Sequence, residues 1–428
     1  MVSIEELLAL VQQAETETDR QWVLLELQMS QMSEALVSIL WAAAIPHFFD
    51  EKVLAALRPE LKDQSEALLV DLQLLTFVEE FPEHGYNVHE LTREVLLNKL
   101  WERDQEEFLL LTKRAADYFF EERTLPAEDI EFAYHEALDE KSAQSGRLLS
   151  RVINWWDYYQ TDRMQSVVQA LLEHEKEGRL NIFGHSFLLY LTGLINNISA
   201  NYKEAETLFN RALKVYKEHR EQSPRYVAML LRDLSISRYE QGNTQSAIPN
   251  GEQALKICRE QLGDNHLDTS ISLNNLADLY ESQGRYDEAE PLYLEALAIC
   301  KAELGNRHLS TASSLNNLAG LYRSQGRYDD AEPLYLEALK IYKAELGDHH
   351  PYTASSLNNL AVLYEFQERY DQAEPLYLEA LAIRKAELGD RHPDTATSLN
   401  NLATLYQKQK RYSEAITLLE DLSDAENS

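Results

Sequence analysis

The stretch SLNNLADLYESQGRYDEAEPLYLEALAICKAELG occupies residues 272–305, and three further copies of it begin at Ser314, Ser356 and Ser398. The copies are therefore 42 residues apart, and two weaker copies in the same phase precede them. The period is marked by recurring leucines, tyrosines and alanines: Leu273, Leu315, Leu357 and Leu399; Tyr280, Tyr322, Tyr364 and Tyr406; Ala289, Ala331, Ala373 and Ala415. Self-similarity at this period is typical of stacked helical units, so the sequence predicts a repeat array.

Each unit has the pattern of two amphipathic helices separated by the turn SQGRY. Apolar residues fall at i, i+3, i+4 and i+7 in both halves: Leu273, Leu276, Ala277 and Tyr280 in the first, and Ala289, Tyr293, Ala296 and Leu297 in the second. Gly284 and Gly326 suit the positive φ that ends a first helix. Glu368 and Lys410 replace that glycine in later copies and predict a costlier turn there.

These residues resemble the tetratricopeptide repeat, and the longer period with GDRHPDTATSLNNLA at residues 389–403 is similar to the variant found in kinesin light chains. The resemblance implies an all-α, right-handed superhelical solenoid of helix-turn-helix repeats whose first helices line a groove that binds extended peptides. We expect about six repeats over residues 183–422, followed by a polar tail at residues 423–428.

Two columns of asparagines lie on the first helices, on the side opposite the buried stripe. One contains Asn274, Asn316, Asn358 and Asn400, and the other contains Asn275, Asn317, Asn359 and Asn401. A side-chain amide both donates and accepts, so a column of amides can pair with the peptide groups of an extended chain. Either one column bonds to adjacent repeats and only the other meets a ligand, or both face solvent.

Other positions on the same side differ between repeats, as selection of a partner requires. They are Asp278 and Glu281; Gly320 and Arg323; Val362, Glu365 and Phe366; Thr404, Gln407 and Lys408. We expect these residues to select the partner, with Arg323, Phe366 and Lys408 as the candidates in the groove, while the asparagines supply generic affinity.

Histidines and cysteines also recur, but their spacing argues against a metal site or a disulfide. Neighbouring repeats are roughly 10 Å apart, too far for one ion or one disulfide to join them. We therefore read His266, His308, His350 and His392 as loop residues, and Cys258 and Cys300 as reduced core thiols.

Residues 33–104 have a different pattern, in the order helix, helix, helix, hairpin, helix, and we expect residues 1–104 to form one N-terminal domain. This order resembles the winged-helix module of STAND-type switch ATPases, and NVHEL at residues 87–91 is similar to the motif whose histidine, matched by His89, senses a nucleotide phosphate. Because no Walker A motif occurs in this chain, His89 has no phosphate to read, and packing beside the hairpin is its alternative role. Residues 105–182 predict a helical connector or degenerate repeats. The aromatic run INWWDYYQ at residues 153–160 suits core packing or a ligand platform.

Composition excludes several classes of function. A net charge of −32 disfavours nucleic acid and anionic membrane surfaces, so basic or neutral partners fit better. The N-terminus lacks the basic residues of a signal peptide and residues 37–49 are too short to span a bilayer, so we expect a cytoplasmic protein. No nucleophile with its base, no metal spacing and no phosphate loop is present, so we expect no enzyme, cofactor, metal or small-molecule substrate.

Two functions follow from the sequence. The first is a scaffold that binds a peptide or a protein in the groove of the repeats. The alternative is the sensor arm of a split or truncated STAND-type signalling ATPase, which acts through the winged helix on a partner that carries the P-loop.

Overall fold

The computed structural model describes residues 11, 14, 16–121, 126–139, 146–157, 160–218 and 223–427. The chain divides into two compact units, one containing residues up to Ile195 together with Lys214–Glu221, and the other containing Asn196–Leu213 and the residues from Gln222 onwards. The described part is α-helical apart from one β-hairpin, as the sequence predicted, and none of its helices is long and apolar enough to cross a membrane.

Helices of the first unit are short, and the hairpin interrupts them once. They are α1 (Glu17–Met29), α2 (Glu34–Ala43), α3 (Glu51–Leu57), a 3₁₀ turn (Pro59–Gln64), α4 (Ser65–Gln73), α5 (Glu90–Arg103), α6 (Gln105–Glu121), α7 (Pro126–Glu136), α8 (Arg147–Asp157) and α9 (Thr161–Lys176). Helices α10 (Ile182–Ile198) and α11 (Tyr202–Lys217) contribute residues to both units.

The hairpin joins β1 (Val78–Phe81) to β2 (Gly85–Val88) between α4 and α5, with Val78 opposite Val88. Phe49 extends the sheet, because its backbone exchanges hydrogen bonds of 2.7 and 2.9 Å with Tyr86. A side chain at Gly85 would lie 2.5 Å from the Phe49 carbonyl oxygen, and Gly85 has a φ of 95°, so only glycine fits there. Within residues 33–104 the order of α-helices and hairpin is thus the one expected, with a 3₁₀ turn added between α3 and α4. The likeness to a winged helix stays a prediction.

A buried polar cluster lies on α7 of the first unit. Glu131 accepts hydrogen bonds from His47 Nδ1 at 2.6 Å and from His135 Nε2 at 3.1 Å. Burial opposes ionisation of Glu131, but the charge of His47 and both hydrogen bonds hold the pKa of Glu131 well below its usual range. The cluster therefore neutralises a carboxylate that would be costly to bury alone.

The second unit consists of antiparallel helix pairs. First and second helices alternate as α12 (Pro224–Glu240) and α13 (Thr244–Gln261), α14 (Leu267–Ser282) and α15 (Tyr286–Leu304), α16 (Leu309–Ser324) and α17 (Tyr328–Leu346), α18 (Pro351–Phe366) and α19 (Tyr370–Leu388), α20 (Pro393–Lys408) and α21 (Tyr412–Asn427). Helix α21 extends through most of the residues that we expected to form a polar tail.

The predicted apolar stripes form one continuous core in this unit. Leu273, Ala277, Ala289 and Ala296 are fully buried, and their equivalents in the next repeats are buried with them. Alanine at the helix crossings lets the backbones approach closely, and Tyr293, Tyr335 and Tyr377 fill the spaces between neighbouring pairs. Cys258 and Cys300 are buried and free, as predicted.

The turns between paired helices have the expected backbone. Gly284 and Gly326 have φ angles of 72° and 75°. Glu368 and Lys410 occupy the same left-handed region, with φ angles of 60° and 63°, although they carry a side chain. The turn geometry is therefore kept throughout the array, and the later copies meet the steric cost of a Cβ atom there.

Candidate functional site

First helices line one side of the second unit. Successive first helices α12, α14, α16, α18 and α20 pack against one another, and successive second helices approach each other less closely. A row of helices that is crowded on one side curves towards that side. We call this side, lined by the five first helices, the inner face.

The first asparagine column serves partly to join repeats. Asn274 Nδ2 donates to Ser314 Oγ of the next repeat at 2.9 Å, and Asn316 Oδ1 accepts from Ser356 Oγ at 3.4 Å. Asn358 is buried, and its Oδ1 accepts from Asn401 Nδ2 at 3.0 Å. These bonds fix the spacing of neighbouring first helices along the inner face.

The second column is mixed in the same way. Asn275 Oδ1 accepts from Ser235 Oγ of the preceding repeat at 2.8 Å. Among the described residues, by contrast, the side-chain amides of Asn317 and Asn359 in this column have no hydrogen-bond partner, and neither does that of Asn400 in the first column. Asn317 and Asn359 are half-buried and Asn400 is exposed. Neither column is wholly structural, and three amides on the inner face are free to bond elsewhere.

Three buried tyrosines of the second helices lie beneath the first helices of the inner face, and we predicted only a core role for them. Tyr293 donates to Asp278 and, at 3.0 Å, to Glu281 Oε2. Tyr377 donates to Glu365 Oε2 at 2.7 Å. Tyr335 lies under Gly320, where an added Cβ atom would be 3.5 Å from its hydroxyl oxygen. Because these tyrosines lie at helix crossings, their sequence pattern predicts apolar packing. The polar residues on the facing first helices are the signal from which their hydrogen bonds could have been predicted.

Carboxylates gather at one end of the inner face. Burial raises the pKa of Asp278 to about 7, the hydrogen bond from Tyr293 opposes this shift, and the charges of Glu281 and Glu240 add to it. Glu281 also accepts from Ser324 Oγ of the next repeat at 2.8 Å. Within the described chain, no lysine or arginine lies within 4 Å of Asp278 or Glu281.

The three variable residues that the sequence singled out lie on the inner-face helices in different settings. Lys408 Nζ is 2.8 Å from Glu365 Oε1 and 5.6 Å from the centre of the Phe366 ring. Phe366 is 55% exposed, and it stacks on Tyr328 with ring centres 6.3 Å apart. Arg323 is half-buried and has neither a hydrogen bond nor an ion pair among the described residues.

The recurring histidines cap helices. The Nδ1 atoms of the four histidines each accept a backbone N–H of the following first helix at 3.1 Å; the four are His266, His308, His350 and His392. This role is more specific than the loop position that we expected. In the described part of the chain, no group of three metal-ligating side chains could hold an ion.

Other candidates lie in the first unit. His89 is exposed at the start of α5, and its side chain caps nothing. In the aromatic run, Trp155 is fully buried and its indole donates to Asp129 Oδ2 at 3.0 Å, whereas Tyr158 and Tyr159 are outside the described residues. Trp155 therefore packs in the core.

Family comparison identifies the repeats. The tetratricopeptide repeat model matches residues 226–302, 273–344, 310–386 and 352–425, which together span the inner face. No curated protein sequence matches this chain significantly.

Several solved structures resemble the chain. A putative kinesin light chain from Podosopora anserina, with nearly identical TPR-like repeats, is 27% identical over 48% of this chain and 96% of its own, with a TM-score of 0.40. NprR in complex with its cognate peptide NprX is 16% identical over 76% of this chain and 86% of its own, with a TM-score of 0.52. A STAND protein with a tetratricopeptide repeat sensor from Pyrococcus horikoshii is 15% identical over 98% of this chain and 67% of its own, with a TM-score of 0.46.

Proposed function

We propose, on the premise that residues 226–425 consist of tetratricopeptide repeats, that this chain is a non-enzymatic scaffold that binds an extended peptide segment of a partner protein on the inner face. The repeat fold itself supports an interaction scaffold. The finer statement, that an extended peptide is bound on this side, depends on the residues that line it.

One observation carries the proposal. The amides of Asn317, Asn359 and Asn400 lie on consecutive first helices, and within the described residues they bond to nothing. Asn317 and Asn359 are half-buried, and a half-buried amide without a partner gains a hydrogen bond when a ligand supplies one. Extended backbone presents donors and acceptors along its whole length, so amides on three consecutive first helices of the inner face suit it.

A random dodecapeptide library displayed on phage, selected on the immobilised chain, tests the proposal. The most enriched peptides are synthesised with blocked ends, and their Kd values are measured by fluorescence anisotropy. We expect the triple substitution N317A/N359A/N400A to weaken all of them by about tenfold or more, since each lost hydrogen bond costs roughly 0.5–1.5 kcal/mol.

Three exposed asparagines away from the inner face give a matched control. They are Asn210, Asn265 and Asn306, and their replacement by alanine should leave the Kd values unchanged. The proposal is wrong if the library yields no peptide, or if the inner-face triple variant binds the enriched peptides as tightly as the unmodified chain does.

The alternative function, a sensor arm that acts on a P-loop partner, has narrower support. The order of elements before residue 105 and the exposed position of His89 agree with it. It predicts that the described first unit alone accounts for binding of a nucleotide-binding protein, so the triple substitution on the inner face would leave that complex intact.

A further inference from the structure

Three second helices have an apolar face that points away from the core. In each of α15, α17 and α19, four exposed residues follow one another at i, i+3, i+7 and i+11, the spacing of a single helix face. The first is proline, the second is leucine, and the last two are alanine, except that Lys340 replaces one alanine in α17. The prolines are Pro291, Pro333 and Pro375, and the leucines are Leu294, Leu336 and Leu378. We call these positions on the three helices the outer patch.

The outer patch has a polar border at both ends of the array. Its three leucines are each 45% exposed. In the flanking second helices, the position of the leucine is held by the exposed Glu252 on α13 and the exposed Glu420 on α21. Single exposed apolar residues are ordinary on a protein surface, but an apolar area that spans three neighbouring helices and has a polar border marks an interaction site.

The shape and composition of the outer patch favour a helical ligand. Successive second helices approach each other less closely than first helices do, so a shallow groove lies between α15 and α17 and another between α17 and α19. Addition of a β-strand needs an open sheet edge, and the described part of the second unit contains no strand. A polyproline segment binds in a groove lined by aromatic rings, and the outer patch has none. An amphipathic helix that lies in a groove is the remaining mode of recognition.

One edge of the outer patch is acidic. Asp287, Asp329 and Asp371 lie one helical turn before the three prolines, and all three are exposed. Within the described chain, none of these aspartates has a hydrogen bond or an ion pair through its side chain. A ligand with lysine or arginine beside its apolar face would be attracted to this edge. A second copy of the chain, with its net charge of −32, would be repelled.

We propose that the outer patch binds an amphipathic helix of a partner protein. The apolar face of that helix covers the three leucines, and its flanking lysines or arginines lie against Asp287, Asp329 and Asp371. The outer patch lies on the second helices, whereas the inner face lies on the first helices. The inference therefore adds a second binding surface to the repeats and does not depend on the proposed function.

A phage-displayed library of three-helix bundles, each with one randomised helix face, tests the inference by selection on the immobilised chain. We expect the enriched bundles to have leucine, isoleucine or phenylalanine at the centre of the randomised face and lysine or arginine at its edges. The triple substitution L294S/L336S/L378S should raise their Kd by about tenfold or more, because it removes the apolar contact. D287N/D329N/D371N should raise it severalfold, and more at low than at high salt concentration.

Leucines of similar exposure in the first unit give a matched control. Leu24, Leu109 and Leu110 are 49%, 43% and 43% exposed, and L24S/L109S/L110S should leave the Kd values of the bundles unchanged. The inner-face variant N317A/N359A/N400A should leave them unchanged as well. An unaltered thermal unfolding midpoint of each variant shows that a loss of binding is local.

Three outcomes would overturn the inference. The first is that the enriched bundles bind L294S/L336S/L378S as tightly as the unmodified chain, or lose binding only to the inner-face variant. The second is a dimer of the chain in sedimentation equilibrium that dissociates in L294S/L336S/L378S, because the outer patch would then be covered by a second copy. The third is flotation of the chain with phosphatidylcholine vesicles that this variant abolishes, because the ligand would then be a lipid surface.

Discussion

Lys408 Nζ lies 2.8 Å from Glu365 Oε1, an ion pair that joins the first helices of the last two repeats. The Glu365 side chain is 8% exposed and also accepts from Tyr377, whereas Lys408 is 43% exposed. Glu365 therefore has a cation within 4 Å, whereas Asp278 and Glu281 have none among the described residues. It also identifies Lys408 as a structural residue of the inner face.

Loss of this pair should have a modest effect on stability. We expect Lys408→Gln to lower the free energy of unfolding by about 1 kcal/mol, the upper end for a pair with one exposed member, because Glu365 keeps its bond from Tyr377. Urea unfolding measures the change. The same substitution at Lys340, which is exposed and has no ion pair in the described chain, should change stability by much less, and E365Q should remove most of the effect of K408Q.

Glycine at the two strained turns should increase the stability of the protein. Glu368→Gly and Lys410→Gly remove the Cβ atom that is strained in a left-handed backbone conformation. We therefore expect each substitution to raise the free energy of unfolding by up to about 1 kcal/mol. Thermal and urea unfolding measure it. Glu345→Gly, on an exposed helical position, should instead destabilise by about 1 kcal/mol, and equal effects at the two kinds of site would contradict the steric argument.

The capping histidine His350 should make its repeat sensitive to acid. Burial lowers the pKa of His350, with the charge of Glu387 opposing it, and the cap needs an unprotonated Nδ1 to accept from the Tyr352 N–H. Because the folded pKa is lower than the unfolded value near 6.5, the stabilisation is complete above that pH and declines as the pH falls below it.

Two substitutions at His350 distinguish the effect of the helix cap on stability from the effect of protonation. His350→Asn keeps a good cap that cannot protonate, so it should lose less stability than the unmodified chain between pH 7.5 and 5.5. His350→Ala should cost about 1 kcal/mol at pH 7.5. An acid response identical in H350N and the unmodified chain would show that the cap histidine does not cause it.

Asp278 should have the opposite pH dependence. Folding raises its pKa from an ordinary value near 4 to about 7, chiefly through burial, so the folded chain retains a proton that the unfolded chain releases. The stabilisation is complete below about pH 4 and is lost as the pH rises through about 7. Tyr293 on α15, Glu281 on α14 and Glu240 on α12 are the titratable groups that act on it.

Asp278→Asn tests this assignment. The amide still accepts from Tyr293 and cannot ionise, so the variant should lose less stability than the unmodified chain between pH 6 and 8, as measured by urea unfolding. Asp287→Asn, at an exposed position on the next helix, should leave the slope unchanged. A slope that survives in D278N would place the titration on another group.

The 42-residue period determines which features of the fold and of the inner face could be predicted from the sequence. A spacing of 42 residues predicted the buried stripe at Leu273 and the positive φ at Glu368, because both depend only on the place within a repeat. The hydrogen bond from Asn274 to Ser314 joins two repeats, so the pattern within one repeat could not predict it. Tyr335 has an unbonded hydroxyl because Gly320 and Arg323, neither of which offers a side-chain acceptor, hold the positions of Asp278 and Glu281, which accept from Tyr293. That these positions meet the tyrosine of the second helix is visible only once the helices are packed.

Asn274 bonds to Ser314, and Asn316 bonds to Ser356, with the same separation of 40 residues. A gene that gained or lost one whole 42-residue unit by unequal recombination would again place an asparagine and a serine 40 residues apart at the new junction. The array can therefore change length without redesign of its packing. Such an event would change the distance between Asp278 and the free amides of Asn359 and Asn400 in steps of one unit, which an extended peptide crosses in about three residues.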